Sequence, residues 1–287
     1  MTIPSHVGVL GGGRMGAGIA HAFILAGARV TVIDRDETAA ASAADRIELS
    51  IVESVRRQAT DRAADELRDA LSVGTDVASF ADAGLVIEAV PEDPALKADA
   101  LRRVEERLPD DAMIASNTSS ISIGSLAAEL RRPERFLGMH FFNPVPASAL
   151  VEIVTGPATD PAVAETVRGW VLDIGKTPIT VTDAPGFASS RLGVALALEA
   201  IRMLEAGVAS ADDIDTAMVL GYKHPIGPLR LTDLVGLDVR LAIAEYLHAE
   251  LGPRFEPPQL LRRLVAEGKL GRKSGEGFYH WTNEEMR

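Results

Sequence analysis

Three glycines and one acid near the N-terminus have the spacing of a dinucleotide site. Gly11, Gly13 and Gly16 stand in G-x-G-x-x-G order within "GGGRMG". Glycines there permit a tight turn and close backbone approach to a pyrophosphate. A helix opening at Arg14 and Met15 would aim its N-terminus at the same charge. The spacing alone also fits a plain surface turn, but here it lies between a β-branched apolar run and a helical period. Asp34 follows 18 residues beyond Gly16, at the end of the next apolar run. Its carboxylate can accept hydrogen bonds from an adenosine ribose and repels a 2′-phosphate. NAD is the expected cofactor, with Arg35 leaving room for NADP.

Of the six histidines, His140 is the candidate for chemistry. "GMHFFNPVPASALVEIV" reads as a strand, a proline-rich turn and a second strand, which lets His140 and Glu152 meet. A carboxylate on one ring nitrogen fixes the tautomer and stabilises the imidazolium, leaving the other nitrogen to take a proton from an alcohol. This is the base-and-orienter part of a catalytic triad without its nucleophile. A buried structural His–Glu pair satisfies the same spacing. His6 and His21 fall where a strand and a helix pack, His248 and His280 on expected surface, and His224 beside a turn.

These residues need a scaffold, and the chain supplies an alternating one. "HVGVLG", "RVTVID", "AGLVIEAV", "DAMIASN", "RFLGMHFF", "LVEIV" and "TPITVTD" read as strands. Helical periods separate most of them, among them residues 14–26, 94–107 and 122–130 and a stretch from Pro161. Residues 37–72 read as a long helix followed by a shorter one. Such alternation predicts an α/β fold, a Rossmann-type domain with a largely parallel sheet. After Asp183 the pattern becomes helical, beginning with "FASSRLGVALALEAIRMLEAG". The expected domains are therefore 1–183, binding the dinucleotide, and 184–287, a smaller all-α domain.

Composition narrows the function classes. The 287 residues are 47% hydrophobic and 24% charged, with a net charge of −12 and no cysteine. Disulfides, thiolate metal sites and a cysteine nucleophile are excluded, and no metal site is expected. No basic stripe serves nucleic acid, no apolar run approaches a membrane span, and the first ten residues lack signal-peptide character. A cytoplasmic location is the expectation.

Taken together, "GGGRMGAGIA", "IEAVPEDPALK", "SNTSSISI", "GMHFFNPVP", "LVEIV", "DAPGFASSRL", "HPIGPLRLTDLVGLD" and "GRKSGEGFY" resemble the short-chain L-3-hydroxyacyl-CoA dehydrogenase family nearly end to end. The resemblance implies an NAD-dependent oxidoreductase of fatty acid metabolism acting on an acyl thioester, most simply a CoA ester. His140 would be the base for the 3-hydroxyl, oriented by Glu152, and Ser119 would hydrogen-bond the reacting oxygen. Asn117, Glu92, Lys97 and Asn143 match positions around the nicotinamide and its ribose, and Lys273 matches a lysine near the cofactor. Asn143 would also meet the substrate. The helical domain would close one side of the cleft and form a homodimer. Without the resemblance, Glu92 and Lys97 read as an exposed i, i+5 pair and Asn143 as a turn residue.

Three positions depart from the family pattern. Ser190 stands where an asparagine usually holds the substrate oxygen beside the histidine. Ala149 stands where lysine is common. The arm over residues 50–70, often lysine-bearing, offers Arg56, Arg57 and Arg62 to the acyl-CoA. Ser190 has three readings: a shorter hydrogen-bond donor in the same role, a pocket reshaped for a carrier-protein ester or free hydroxy acid, or a small helix residue. A non-catalytic NAD-binding paralogue is the remaining alternative.

Overall fold

The computed structural model describes residues 2–282. The chain divides into two compact units, Met1–Ala184 and Pro185–Arg287.

The first unit is built around the strands that carry the candidate residues. β1 (His6–Leu10) is buried throughout, α1 spans Arg14–Leu25, and β2 (Arg29–Ile33) pairs parallel to β1. Gly27, at φ 98°, turns the chain between helix and strand, a conformation open to glycine at little steric cost. Ile19, Ala20, Phe23 and Ile24 of α1 are fully buried against the sheet. Burying one such large side chain is worth about 1.5–3 kcal/mol.

α2 (Glu37–Arg56) and α3 (Ala64–Asp69) follow, and then β3 (Leu71–Gly74). This corrects the helical reading of residues 37–72, because Leu71 and Ser72 begin a strand. β3 forms the sheet edge beside β2 and is half-exposed, so it lacks the continuous apolar run that marks a strand buried on both faces. The remaining elements are β4 (Leu85–Glu88), α4 (Pro94–Glu105), β5 (Met113–Ser116), α5 (Ile123–Ala127), β6 (Phe136–Phe141), β7 (Leu150–Thr155), α6 (Pro161–Asp173) and β8 (Thr177–Thr182). Among the described residues these eight strands form one sheet in the order β3-β2-β1-β4-β5-β6-β7-β8. Every neighbouring pair is parallel except β6 and β7, which the short proline-rich turn makes antiparallel. The fold is thus a Rossmann-type α/β domain with a mixed sheet, followed by an all-helical part.

The second unit contains α7 (Ser189–Glu205), α8 (Ala211–Thr216), α9 (Pro228–Val235), α10 (Leu237–Leu251) and α11 (Gln259–Ala266). Gly186 and Phe187, both at positive φ, form the turn into α7. Ser210 caps α8 by accepting the Asp213 N–H at 3.1 Å. Gly236, at φ 104°, separates α9 from α10. Val194, Leu198, Ile201, Leu229, Leu237, Leu247 and Leu261 form this unit's core. Among the described residues no helix is long and apolar enough to cross a membrane.

Candidate active site

The glycine loop shows which of its residues the protein itself requires. Gly11 has φ 96° and donates its N–H to Ile33 O at 2.7 Å. A Cβ on Gly16 would lie 1.8 Å from Gly11 O, and one on Gly12 would lie 2.2 Å from Ala43 Cβ. Gly12, outside the motif spacing, is therefore as constrained as the expected glycines. Among the described residues a Cβ on Gly13 meets no atom within 4 Å, so their packing does not demand glycine there. A glycine there leaves the N-terminus of α1 open to close approach by a pyrophosphate. Arg14 and Met15 open that helix.

Asp34 Oδ2 accepts the Gly12 N–H at 2.7 Å and Oδ1 accepts the Arg35 N–H at 2.7 Å. The carboxylate is thus fixed beside the loop, where a ribose hydroxyl would need an acceptor. Arg35 turns its guanidinium to Asp36, 3.1 Å away. This donor set fits NAD.

His140 and Glu152 are direct partners in the β6–β7 register. His140 Nδ1 lies 2.7 Å from Glu152 Oε2, with Glu152 fully buried and His140 7% exposed. Low surrounding dielectric strengthens such a bond relative to water. The Phe142 ring packs on the imidazole with centroids 4.5 Å apart. Asn143 is exposed on the turn that follows. Below that turn, Lys176 Nζ donates to Val145 O at 2.7 Å and Ser148 O at 2.6 Å, and burial pushes its ammonium pKa down.

Ser119 lies on the loop after β5, and Glu92 organises that loop. One carboxylate oxygen of Glu92 accepts the Thr118 hydroxyl at 2.6 Å, the Ser119 N–H at 2.9 Å and the Ser120 N–H at 3.1 Å. The Ser119 hydroxyl is 3.3 Å from the same oxygen. Burial pushes the Glu92 pKa up. The Thr118 hydroxyl, the Lys97 charge and the Ser119 and Ser120 donors outweigh this and hold it below the usual range. Lys97 is 1% exposed, which corrects the reading of an exposed pair: its stem is buried and its ammonium meets Glu88 at 2.6 Å and Glu92 at 3.3 Å. Asn117 Oδ1 accepts the Phe141 N–H at 2.9 Å, tying this loop to the strand of His140.

Glu88, Ser116 and Thr118 were not singled out from the sequence. An acid inside the apolar run "LVIEAV" was the available signal, because an ionised group at such a position needs dedicated partners.

Arg56 and Arg57 both pair with Glu53 on the exposed side of α2, and the Arg56 guanidinium heads the causes that hold the Glu53 carboxyl at about 2. Arg57, Ser50, Pro146, Ala149 and Lys176 line a cavity of about 700 Å³ in the first unit. Ser190 and Lys273 belong to the second unit. Ser190 is half-buried in the first turn of α7, and Lys273 Nζ lies 2.6 Å from the Asp238 carboxylate.

A mixed-sheet Rossmann unit with a buried His–Glu pair beside a serine loop defines a nicotinamide-dependent oxidoreductase as the class. Residues 6–184 match the NAD-binding domain of 3-hydroxyacyl-CoA dehydrogenase, and residues 186–281 match its C-terminal domain. The chain belongs to the 3-hydroxyacyl-CoA dehydrogenase family. A 3-hydroxybutyryl-CoA dehydrogenase of Mycobacterium tuberculosis is 44% identical over 277 residues, covering 95% of this chain and 97% of that protein. The crystal structure of (S)-3-hydroxybutyryl-CoA dehydrogenase from Ralstonia eutropha matches with a TM-score of 0.93 at 38% identity, covering 98% of this chain and all of that one. A diketoreductase acting on dicarbonyl compounds matches with a TM-score of 0.87 at 31% identity, over 98% of this chain and all of that one.

Proposed function

We propose that His140 is the general base of this enzyme, that Glu152 orients it and that Ser119 holds the reacting oxygen. The chain is an NAD-dependent 3-hydroxyacyl-CoA dehydrogenase, interconverting a 3-hydroxyacyl-CoA and the 3-oxoacyl-CoA. The observation that carries the assignment is the 2.7 Å bond between His140 Nδ1 and buried Glu152. With Nδ1–H held by the carboxylate, Nε2 is left as the basic nitrogen and takes the 3-hydroxyl proton. Bound NAD supplies the acceptor for the hydride leaving C3. Ser119, fixed through Glu92, donates to the oxygen as its negative charge grows, and Glu152 stabilises the imidazolium that forms.

On the cofactor side, Gly11, Gly13 and Gly16 with the N-terminus of α1 receive the pyrophosphate, and Asp34 receives the adenosine ribose. Glu92, Lys97, Asn117 and Asn143 border the nicotinamide half, and Lys273 is a further cofactor residue. Short L-3-hydroxyacyl chains are the favoured substrates, as the names of the M. tuberculosis and R. eutropha relatives suggest. The cavity lined by Arg57 supports placing part of the CoA there. Exposed Leu192, Leu220, Tyr222, Leu231, Val235 and Val239 in the second unit support a homodimer through that unit. Light scattering should then give twice the 30.4 kDa of the chain.

The direct test is NADH oxidation with acetoacetyl-CoA, the corresponding carrier-protein ester and free acetoacetate. Turnover of the CoA ester above the others supports the reading, and no turnover of it sinks the reading. Ser190 motivates the second one, the same chemistry on a different hydroxy substrate, and the diketoreductase shows the fold serving another carbonyl class. Ser190→Asn separates the two. A rise in CoA-ester turnover means serine is a weaker donor in the same role, and no rise favours a reshaped pocket.

A further inference from the structure

Glu88 ends β4, opposite Ser116 in the parallel register with β5. It is fully buried, and three donors converge on it: Lys97 Nζ at 2.6 Å, Ser116 Oγ at 2.5 Å and the Val90 N–H at 2.7 Å. Lys97 also donates to Val90 O at 3.1 Å and lies 3.3 Å from Glu92 Oε2. The ammonium thus has two hydrogen-bond acceptors, Glu88 and Val90 O, and a second carboxylate, Glu92, as ion-pair partner. Glu92 gives its other oxygen to the backbone and hydroxyls of residues 118–120.

We propose that Glu88 is a positioning residue of the active site: it fixes Lys97, Lys97 fixes Glu92, and Glu92 sets the place of Ser119. The role in catalysis rests on Ser119 holding the reacting oxygen. The physical argument is one of stiffness. Lysine is a compact charge on a flexible four-carbon stem, so its ammonium has no place of its own until an acceptor on a rigid element defines one. A central strand of the sheet is that element. Glu92, 37% exposed in its side chain, sits on the loop after β4 and takes its orientation from the ammonium on one oxygen and the serine loop on the other. Removing the charge at 88 lets the ammonium shift toward Glu92 and alters its grip on residues 118–120.

Glu105 is the control. It is 5% exposed in the same unit and accepts the Arg131 and Arg132 N–H groups at 2.9 and 2.8 Å, away from the site. Glu88→Gln keeps the shape and removes the charge, and Glu105→Gln does the same at the control position. Two quantities are compared with the unaltered protein: kcat for NADH with acetoacetyl-CoA, and hydrogen exchange at the Ser119 and Ser120 amides. Glu88→Gln should lower kcat by about 10- to 100-fold, the scale of a sub-ångström to 1 Å misplacement, and speed exchange at both amides. Glu105→Gln should change neither.

Unchanged amide exchange in Glu88→Gln, or kcat within about twofold of the unaltered enzyme, overturns the proposal. So does equal loss in Glu105→Gln. If Glu88→Gln does not fold, Ser116→Ala removes one of the three donors, and it should speed the same exchange and lower kcat by about threefold. No change there overturns the proposal equally. If the unaltered enzyme turns over no acyl-CoA, the functional reading falls, and the exchange measurement still decides the role of Glu88.

Discussion

Glu92 in the first unit and Asp233 in the second are both well-partnered carboxylates, Glu92 partly exposed and Asp233 buried, and their pKa values move in opposite directions. Burial pushes both up. At Glu92 the hydroxyl of Thr118, the charge of Lys97 and the donors of the serine loop reverse the effect. At Asp233 the N–H groups of Phe278 and Tyr279 and the indole of Trp281, at 2.8 to 3.0 Å, do not, and the Asp215 charge adds to the rise. The difference lies in what each acid holds. Glu92 binds a lysine and side chains that can meet a ligand. Asp233 binds the chain's own C-terminal segment, as Asp215 does through Tyr279, and Asp215 also accepts the Leu229 and Arg230 N–H groups at the start of α9. Gly277 is small for the same reason, since a Cβ there would lie 2.3 Å from Asp233 Oδ1. Glu92 holds the loop of Ser119, whereas Asp233 and Asp215 hold the fold of the second unit.

The largest effect that could break this contrast is expected at Glu152. Glu152→Gln presents an amide to His140 Nδ1 and favours the wrong tautomer, so kcat should fall by about 10²- to 10⁴-fold while NADH still binds. A loss below tenfold by steady-state kinetics would place Glu152 with the structural acids.

Gly13→Ala should weaken NADH binding by about tenfold or more, measured by fluorescence titration, and leave Tm unchanged, because the added methyl meets only the approaching cofactor. Gly16→Ala should instead lower Tm, because its Cβ meets Gly11 O. Asp233→Asn should cost about 1–3 kcal/mol in denaturant unfolding by disturbing three hydrogen bonds, with kcat of the folded fraction unchanged. A selective loss of kcat would contradict the division between the units.

The smallest effects are in pH dependence, and their signs differ. Glu92 has a folded pKa below its unfolded 4.5. Its stabilisation is therefore present above that pH and is lost as pH falls through the folded value. Asp233 has a folded pKa above its unfolded 3.8, so its contribution falls as pH rises from 3.8 through the folded value. Glu92→Gln should flatten the acid limb of Tm against pH, and Asp233→Asn should remove a decline on the rising side. Parallel curves for both variants would remove the contrast.

Much of this was legible in the sequence. Glycine spacing with Asp34 marked the turn between β1 and α1, and a hairpin-like run placed His140 opposite Glu152. β3 was hidden because an edge strand with exposed positions carries no continuous apolar signal. Without the resemblance Lys97 reads as exposed, because sequence separation from Glu92 does not disclose a third partner and Glu88 lies in a different element. Gly12 was passed over because its constraint comes from Ala43 on another helix. Local spacing reveals groups held within one turn or hairpin, and groups held by distant elements need the folded chain.

The central claim is that His140 is the base, and His140→Ala tests it most directly when NADH binding and turnover of acetoacetyl-CoA are measured on the same preparation. The account predicts NADH affinity close to that of the unaltered enzyme and kcat lower by about 10²- to 10⁴-fold. Retention of kcat within tenfold, with binding intact, would contradict it.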